Sequence, residues 1–334
     1  MDKIDLIHAS KLYKVFKPFY SGIGHVLVFH RVGEDDSLVF TKDLQVSPES
    51  LERFLQYFNS NNIDIVTLDE CYKRILSGKR EKRFVAFTFD DGFRDNLSHA
   101  LPVFEKYNAP FALFLTTGFP DHKIVLWSYM LENLVLNNTA IDFTDRGQRY
   151  SYSLSSENEK REAFKEIRTY ILSSSPENLI PRLKNIFHAS TKDLYSLTSR
   201  MALSWEEVKE LSDHPLVSIG SHTVNHLALR NLPEEKAIRE ISDSLTIIED
   251  KTGRPVSHMA YPYGMPSAVG PREFNLASQT RLKLAFTTVS SNIMKHHARN
   301  LHALPRIEMR NEWTDKTLDL YVNGYLPFLH RLFN

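Results

Sequence analysis

The chain has 334 residues, of which 42% are apolar and 25% charged, and its 41 basic side chains balance 41 acidic ones. This is the composition of an ordinary soluble globular protein, and the absence of net positive charge argues against a nucleic-acid partner. The length suits one large α/β domain with insertions, or two smaller domains.

The N-terminus lacks a basic segment followed by an unbroken apolar stretch. No window reaches the run of about 18 apolar residues that a membrane span requires, so we expect a cytoplasmic protein. Residues 4–20 are mildly amphipathic and basic. Peripheral membrane contact is one expectation for this segment, and a helix packed on the domain is the favoured one.

Short apolar runs rich in β-branched and aromatic residues recur along the chain, separated by helical patterns such as those that begin at Ser47-Pro48 and at Ser204. Runs of this kind suit strands that are covered on both faces. The alternation predicts an α/β fold with a parallel sheet, closed into a barrel or left open. We predict strands at residues 25–30, 63–68, 84–89, 111–115, 217–220, 256–260, 284–289 and 303–307.

Residues 119–200 break this rhythm, because they are polar, rich in Ser and Asn, and mostly helical in pattern. We interpret them as a helical insertion that acts as a lid or substrate wall. The barrel or sheet domain then comprises residues 24–118 and 201–310. Residues 1–23 form an N-terminal helical extension and residues 311–334 a C-terminal helix. Cys71 is the only cysteine, which excludes an intramolecular disulfide, and we expect it to be a buried apolar residue.

Chemically reactive side chains fall where several predicted strands end. His30 ends the first strand, Asp90 and Asp91 end the third, and His222 directly follows the strand at 217–220. In a parallel α/β sheet or barrel, functional groups collect at the carboxyl ends of the strands. We therefore expect these side chains to lie on one rim.

The spacing of His222 and His226 predicts two imidazoles on one face of a helical turn, close enough to share an ion. Two neutral imidazoles and one carboxylate make a three-ligand site for zinc or another late first-row ion. Asp90 and Asp91 point opposite ways in an extended segment, so one can bind the metal while the other remains free as a base. The alternatives are two surface histidines and an ordinary Asp-Asp-Gly turn; the combination favours the metal site.

Three short runs carry a family resemblance: Thr88–Gly92 (TFDDG), Ser221–His226 (SHTVNH) and Ala260–Gly264 (AYPYG). They resemble the first three motifs of the polysaccharide deacetylases, carbohydrate esterase family 4. The resemblance covers residues 24–310 apart from the insertion. It implies a distorted (β/α)7 barrel and the removal of acetyl groups from N-acetylated sugars.

The resemblance also implies roles by position. Asp91, His222 and His226 would hold a divalent metal, with zinc expected and nickel, cobalt or iron as alternatives. Asp90 would be the general base that activates the attacking water, and the backbone N–H of Tyr263 would help to stabilise the tetrahedral oxyanion.

Two departures from the family pattern need replacements. Many members carry an Arg at the position of Ala260, where it tethers the catalytic Asp, and we expect Arg306 to replace it from another strand; the alternative is a surface Arg. The late Leu-x-His motif that supplies the general acid is not evident. The run Val28–Val32 (VFHRV) is similar to an N-terminal element of the poly-β-1,6-N-acetylglucosamine deacetylase branch, so we expect His30 to be the acid. The alternative is a structural His at a strand end.

These observations predict a metal-dependent N-deacetylase that acts on an N-acetylated sugar, with N-acetylglucosamine in a glycan or glycolipid precursor as the expected substrate. An O-deacetylase with the same site and a catalytically degenerate glycan-binding protein are the alternatives. Candidate surfaces for sugar stacking are Trp127, Trp205, Tyr261 and Tyr263, with core packing favoured for Trp205.

Overall fold

The computed structural model describes residues 3–35, 37–77 and 82–333. The strands are β1 (Gly24–Phe29), β2 (Arg31–Val32), β3 (Gln45–Val46), β4 (Asp64–Ile65), β5 (Phe84–Asp91), β6 (Phe111–Leu115), β7 (Ala140–Asp145), β8 (Gln148–Ser153), β9 (Val217–Ser221), β10 (His258–Ala260), β11 (Leu284–Phe286) and β12 (Ile307–Glu308). The α-helices are α1 (Lys3–Ser10), α2 (Lys17–Tyr20), α3 (Pro48–Ser60), α4 (Leu68–Ser77), α5 (Leu101–Lys106), α6 (Trp127–Asn137), α7 (Glu157–Leu172), α8 (Pro176–Phe187), α9 (Thr191–Met201), α10 (Trp205–Asp213), α11 (Glu234–Thr252), α12 (Pro271–Ser278), α13 (Asp315–Val322) and α14 (Tyr325–Phe333).

The central sheet is parallel and closes on itself. Its strand order is β11-β10-β9-β6-β5-β1-β12, and β4 pairs with the start of β5. Leu304 pairs in parallel with Phe286 of β11, and β12 follows directly and pairs with β1 at the other end of the sheet. The segment 304–308 therefore touches both outer strands, and the predicted distorted (β/α)7 barrel is confirmed.

Helices flank the barrel and begin where the sequence provides caps. Ser47 accepts a hydrogen bond from the backbone N–H of Ser50 with Pro48 in the first turn of α3, and Ser204 forms a capping box with Glu207 at the start of α10. Strands β1, β5 and β6 are buried along their whole length, as strands between barrel interior and outer helices must be. This packing fixes the positions of the strand ends, where the predicted site residues lie.

Some predicted strands are shorter in the structure. The predicted strand at 256–260 forms only over β10, and those at 63–68 and 284–289 form only over β4 and β11. Of the run at 303–307, only Ile307 lies in a strand, β12. Cys71 is fully buried, as expected.

The inserted segment is not only helical. It contains α6 to α9, but residues 140–153 form the antiparallel hairpin β7–β8, so the helical prediction is wrong there. The signal was present: burial alternates along β7, and Arg146 and Gly147 at the turn have φ values of 50° and 80°, the backbone of a tight hairpin turn. The segment has its own apolar core, and its boundaries as a separate unit stay a prediction.

The N-terminal segment packs on the domain through its polar and aromatic groups. His8 contacts Asp319 of α13 at 2.8 Å, and Tyr13 is buried. Leu12, Val15 and Phe19 remain exposed, and membrane contact through this segment stays a prediction. The predicted C-terminal helix is two helices, α13 and α14, separated at Gly324. Within the described ranges, no helix is long and apolar enough to cross a membrane.

Candidate active site

One rim of the barrel collects the side chains that the sequence singled out. His30 follows β1, Asp90 and Asp91 end β5, His222 follows β9, and Tyr263 follows β10. All five line a single cavity of about 680 Å³ at the carboxyl ends of the strands. The volume is typical of a site for a small molecule or a few sugar units.

Asp91, His222 and His226 form a cluster suited to a metal ion, with ligand atoms that all lie within 4.8 Å of one another. Asp91 Oδ1 is 3.6 Å from His222 Nε2 and 3.2 Å from His226 Nε2. His222 Nδ1 lies 2.8 Å from the carbonyl oxygen of Ala260. Because a carbonyl only accepts, Nδ1 carries the proton and the lone pair of Nε2 faces the cluster.

The chemistry of this cluster fits a divalent ion. Asp91 Oδ1 is buried and accepts no hydrogen bond from the described residues, and a buried carboxylate oxygen without a partner is costly. A cation between Asp91 and the two imidazoles would satisfy it. Two imidazoles and one carboxylate beside an open cavity are the ligands of catalytic zinc and of similar divalent ions.

The two histidines do not lie on a helix, so the prediction of a helical turn is wrong. Residues 222–228 form an irregular loop in which Thr223 and His226 have φ values of 66° and 52°. The imidazoles nevertheless approach, with ring centroids 5.0 Å apart. The loop reverses direction between them and brings both rings to the same carboxylate.

Glu240, a residue that the sequence patterns did not single out, holds this loop. Its carboxylate accepts hydrogen bonds from the backbone N–H groups of Val224 at 3.0 Å and Asn225 at 2.8 Å. It also accepts from the side-chain amide of Asn225 at 2.6 Å. Glu240 is buried on α11, and its place in a regular helical pattern gave no sign of this role. In this loop, the backbone N–H groups of Val224 and Asn225 donate to the carboxylate of Glu240, where in a helix they would donate to backbone carbonyls.

Asp90 is paired with Arg306 beneath the rim. Arg306 Nη1 and Nη2 each donate to one oxygen of Asp90 at 2.7 Å, and both side chains are buried. Arg306 also donates to Thr88 Oγ1 and to the carbonyl of Thr287, both at 3.1 Å. The guanidinium thus comes from the segment that closes the barrel, and not from the position of Ala260.

The backbone after β5 sends the two carboxylates to different partners. Asp91 has a φ of 78° and Gly92 a φ of 105°, so the chain turns sharply at the end of the strand. Glycine is favoured at this φ because a side chain is strained there, and a Cβ at Gly92 would also lie 2.5 Å from the side chain of Leu115. As a result, Asp90 faces Arg306 and Asp91 faces the imidazoles.

The pKa shifts of the buried groups favour the protonation states that bind a cation. Burial would raise the pKa of Asp90, but the charge of Arg306 lowers it overall. Burial would also raise the pKa of Asp91, and the imidazoles of His226, His30 and His222 lower it below its ordinary value. Burial lowers the pKa of His222 to about 4. Ionised carboxylates and a neutral imidazole are the protonation states that metal binding requires.

His30 lies on the cavity wall with its imidazole available. The side chain is half-buried and makes no hydrogen bond with the described part of the chain, while its backbone oxygen accepts from Asn96 Nδ2 at 2.8 Å. The neighbouring Arg31 is fixed by Asp95 at 2.9 Å. His30 therefore has a fixed backbone and an imidazole that is free to face a ligand.

Tyr263 also lines the cavity. Its φ is 60°, and its backbone N–H donates to no described residue, while its carbonyl oxygen accepts from Thr288 Oγ1 at 2.7 Å. The ring packs edge-on against His226 with centroids 4.8 Å apart, and burial raises the pKa of the phenol. Within the described residues, the N–H of Tyr263 thus has no acceptor, and the ring of the same residue contacts His226.

The other aromatic candidates differ in position. Trp127 lines the cavity. Tyr261 is fully buried and its hydroxyl donates to the carbonyl of His302 at 2.9 Å, so its prediction as a sugar-stacking surface is wrong. Trp205 packs against the core and donates from Nε1 to Asp121 at 2.8 Å. The ring of Tyr261 packs against Phe274 of α12, with ring centroids 5.6 Å apart, and not against the cavity.

Comparison with known proteins agrees with this geometry. The sequence profile of the polysaccharide deacetylase family matches residues 77–277. YxkH of Bacillus subtilis (strain 168) is 18% identical over 300 residues, which cover 90% of this chain and 76% of that protein.

Solved structures share the fold at low identity. The deacetylase PplD of Streptococcus pyogenes, in complex with acetate, has a TM-score of 0.58 at 17% identity and covers 89% of this chain and 97% of its own. IcaB from Ammonifex degensii has a TM-score of 0.56 at 16% identity, covering 90% and 97%. A de-N-acetylase from Aggregatibacter actinomycetemcomitans has a TM-score of 0.55 at 15% identity, covering 89% and 99%. With the family profile matched over more than half of its length, this chain belongs to the polysaccharide deacetylase family.

Proposed function

We propose that this protein is a metal-dependent N-deacetylase that hydrolyses the acetamide of an N-acetylated sugar, with N-acetylglucosamine in a glycan or glycolipid precursor as substrate. The observation that carries the proposal is the placement of the cluster Asp91, His222 and His226 beside the buried pair of Asp90 and Arg306, in one cavity. A metal site with a second carboxylate next to it supplies a Lewis acid and a general base for the hydrolysis of an unactivated amide.

Asp91, His222 and His226 would hold the ion, and we expect zinc, with nickel, cobalt or iron as alternatives. Bound there, the ion would supply Lewis-acid polarisation of the acetamide carbonyl and acidify the attacking water. The carbonyl of Ala260 holds the tautomer of His222 that presents Nε2.

Asp90 is the general base in this proposal. Arg306 keeps it ionised and fixes both of its oxygens, so the carboxylate is oriented before the substrate arrives. It accepts the proton of the water at Oδ1 or Oδ2, and the guanidinium keeps it in place while its charge changes.

His30 is the general acid, and this assignment favours an amide over an ester. An amine leaving group must be protonated as the C–N bond breaks, whereas an ester places a weaker demand on an acid. His30 faces the cavity with an imidazole that is engaged by no described residue. An N–H of His30 would donate to the leaving nitrogen, and the free backbone N–H of Tyr263 would donate to the oxyanion.

The relatives support the N-acetyl assignment. One fold neighbour is a de-N-acetylase, and the run around His30 resembles the poly-β-1,6-N-acetylglucosamine deacetylase branch. We place this protein near that branch on these two grounds.

The proposal is tested by acetate release from methyl N-acetylglucosaminide and from an O-acetylated methyl glucoside, each with and without a chelator. Chelator-sensitive release from the N-acetylated sugar is the expected result. Faster release from the O-acetylated sugar would instead establish an O-deacetylase. Binding of the sugars without release from either would establish a glycan-binding protein.

A further inference from the structure

The catalytic cavity has a polar half and an apolar half. The barrel supplies the metal-type cluster and His30, and helices α7 and α8 of the inserted segment supply the facing wall. Apolar side chains dominate that wall, and several of them are only half-buried. The wall residues that matter here are Phe164, Ile171, Leu172, Leu179 and Ile180.

Arg168 lies in the middle of this apolar wall. On α7 it shares a face with Phe164, Ile171 and Leu172, which are three or four residues away along the helix. Its side chain lines the cavity and is half-buried. Across the described residues it has no ion pair and no hydrogen bond. A partly desolvated guanidinium without a partner is unfavourable unless a ligand supplies one.

The charge of Arg168 affects Tyr263, which lines the cavity next to the metal-type cluster. Burial and the charge of Asp91 raise the pKa of Tyr263, and the charge of Arg168 opposes that rise. Arg168 therefore lies within electrostatic range of the group that stands beside the cluster.

Two other cations near this wall have partners. Lys123, which also lines the cavity, is mostly exposed and pairs with Asp121 at 2.9 Å. Arg182 of α8 is buried and contacts Asp145 at 3.2 Å and the carbonyl of Tyr170 at 2.7 Å. These two side chains need no ligand, and Arg168 differs from both.

The anionic residues of the cavity do not neutralise Arg168. Asp43 pairs with Arg310 at 3.1 Å, and Asp90 and Asp91 are engaged at the cluster. Glu308 lies on β12 beside β1, on the barrel side of the cavity, and forms no ion pair with Arg168. Among the residues that the structure describes, Arg168 is thus the cation of the insertion wall that lines the cavity without an ion pair, and apolar groups surround it.

A ligand that complements this wall carries an oxyanion next to an apolar chain. Guanidinium binds phosphate through paired, charge-assisted hydrogen bonds, and apolar surface is stabilised by covering it with apolar groups. We propose that the cleft accepts an N-acetylated sugar joined through a phosphate to a lipid chain, with Arg168 binding the phosphate and α7 and α8 covering the first part of the chain. This proposal rests on the proposed N-deacetylase function and names its substrate class.

Three substrates separate the parts of this proposal: methyl N-acetylglucosaminide, N-acetylglucosamine 1-phosphate, and N-acetylglucosamine linked through phosphate to a farnesyl chain. We expect kcat/KM of the wild-type protein to rise in that order. Arg168→Ala should lower kcat/KM for the two phosphorylated substrates roughly 10- to 100-fold, the loss of a charge-assisted hydrogen bond. It should leave the neutral sugar unchanged.

Lys123→Ala is the matched control, since Lys123 lines the same cavity but is already paired, and it should leave all three substrates unchanged. Equal loss on all three substrates with Arg168→Ala, or no loss on any, would overturn the phosphate assignment. Equal turnover of the farnesyl-linked and lipid-free phosphates would overturn the lipid assignment. A higher kcat/KM for a neutral N-acetylglucosamine oligosaccharide than for either phosphorylated substrate would overturn the proposal as a whole.

Binding to the Asp90→Asn protein, measured by calorimetry, keeps this test separate from the proposed activity. The farnesyl-linked phosphate should bind more tightly than the neutral sugar, and the added Arg168→Ala should remove that advantage. If this holds without turnover in the wild type, the N-deacetylase function fails while the ligand assignment stands. If turnover is seen but the binding advantage is absent, the ligand assignment alone fails.

Discussion

Arg306 donates two hydrogen bonds of 2.7 Å to Asp90 from the segment that closes the barrel. The same segment pairs with β11 through Leu304 and with β1 through β12. Closure of the sheet and orientation of the proposed base therefore depend on one short stretch of chain. The fold cannot lose this arginine without leaving a buried carboxylate uncompensated.

Replacing Arg306 by Met should lower the free energy of unfolding by about 3–5 kcal/mol, because it removes one partner of a buried pair. Asp90→Asn in the same protein should recover part of that loss, since the unpaired charge is then absent. Denaturant unfolding of the two single variants and the double variant measures this coupling. Strictly additive losses would show that the two side chains do not stabilise each other.

Replacing Glu240 by Ala should weaken metal binding roughly 10- to 100-fold, as expected for a residue that orients ligands without touching the ion. Glu240 holds the backbone N–H groups between His222 and His226. Glu235→Ala, at an exposed site on the same helix, is the control and should leave metal affinity unchanged. Metal titration by competition with a chromogenic chelator provides the readout. Equal affinity of the Glu240→Ala and Glu235→Ala proteins would remove Glu240 from the account of the site.

Replacing His30 by Gln should slow hydrolysis of an N-acetylated sugar roughly 10²- to 10⁴-fold, the usual contribution of a general acid. The same variant should lose far less on 4-nitrophenyl acetate, whose leaving group departs without protonation. The ratio of the two rates is the measurement. If both substrates slow equally, or neither does, the proton comes from another group.

The barrel should lose stability in acid through His25. Burial and the charge of Arg83 lower its pKa from 6.5 to about 3, although its Nδ1 lies 2.8 Å from Asn292 Oδ1. Between these values the unfolded chain binds a proton that the folded chain rejects, so stability falls as the pH falls. The slope should reach about 1.4 kcal/mol per pH unit for this group, and the contribution vanishes above pH 6.5.

His25→Gln should flatten the stability profile between pH 6.5 and 3, because glutamine retains a donor for Asn292 but does not titrate. His99→Gln is the control at an exposed position. Urea unfolding at several pH values compares the two proteins with wild type. A profile for His25→Gln that matches wild type would show that His25 is not the group responsible.

The sequence predicted those parts of the fold and site that depend on local pattern. Continuous apolar runs located the barrel strands, and the reactive residues at their ends, such as Asp90, Asp91 and His222, lie on one rim because parallel strands end together. Capping residues located the starts of α3 and α10, because a cap acts within a few residues and is therefore visible in the local sequence.

The rest depends on contacts between distant segments. Glu240 of α11 holds the loop at 222–226, and no sequence pattern links this helix to that loop. The spacing of His222 and His226 therefore predicts a helical turn where the structure has a loop. The burial of Tyr261 depends on which face of the third motif meets the core. The hairpin at 140–153 had a local signal, but its polar residues masked the alternation within a segment that is otherwise helical.

The central claim is that Asp91, His222 and His226 share an ion beside a separate base. Metal content by mass spectrometry and acetate release from an N-acetylated sugar should be measured together on wild type, Asp90→Asn and His222→Ala. We predict a bound divalent ion and turnover in wild type, a bound ion without turnover in Asp90→Asn, and neither in His222→Ala. Full turnover by His222→Ala after complete removal of metal, or by Asp90→Asn, would contradict the account.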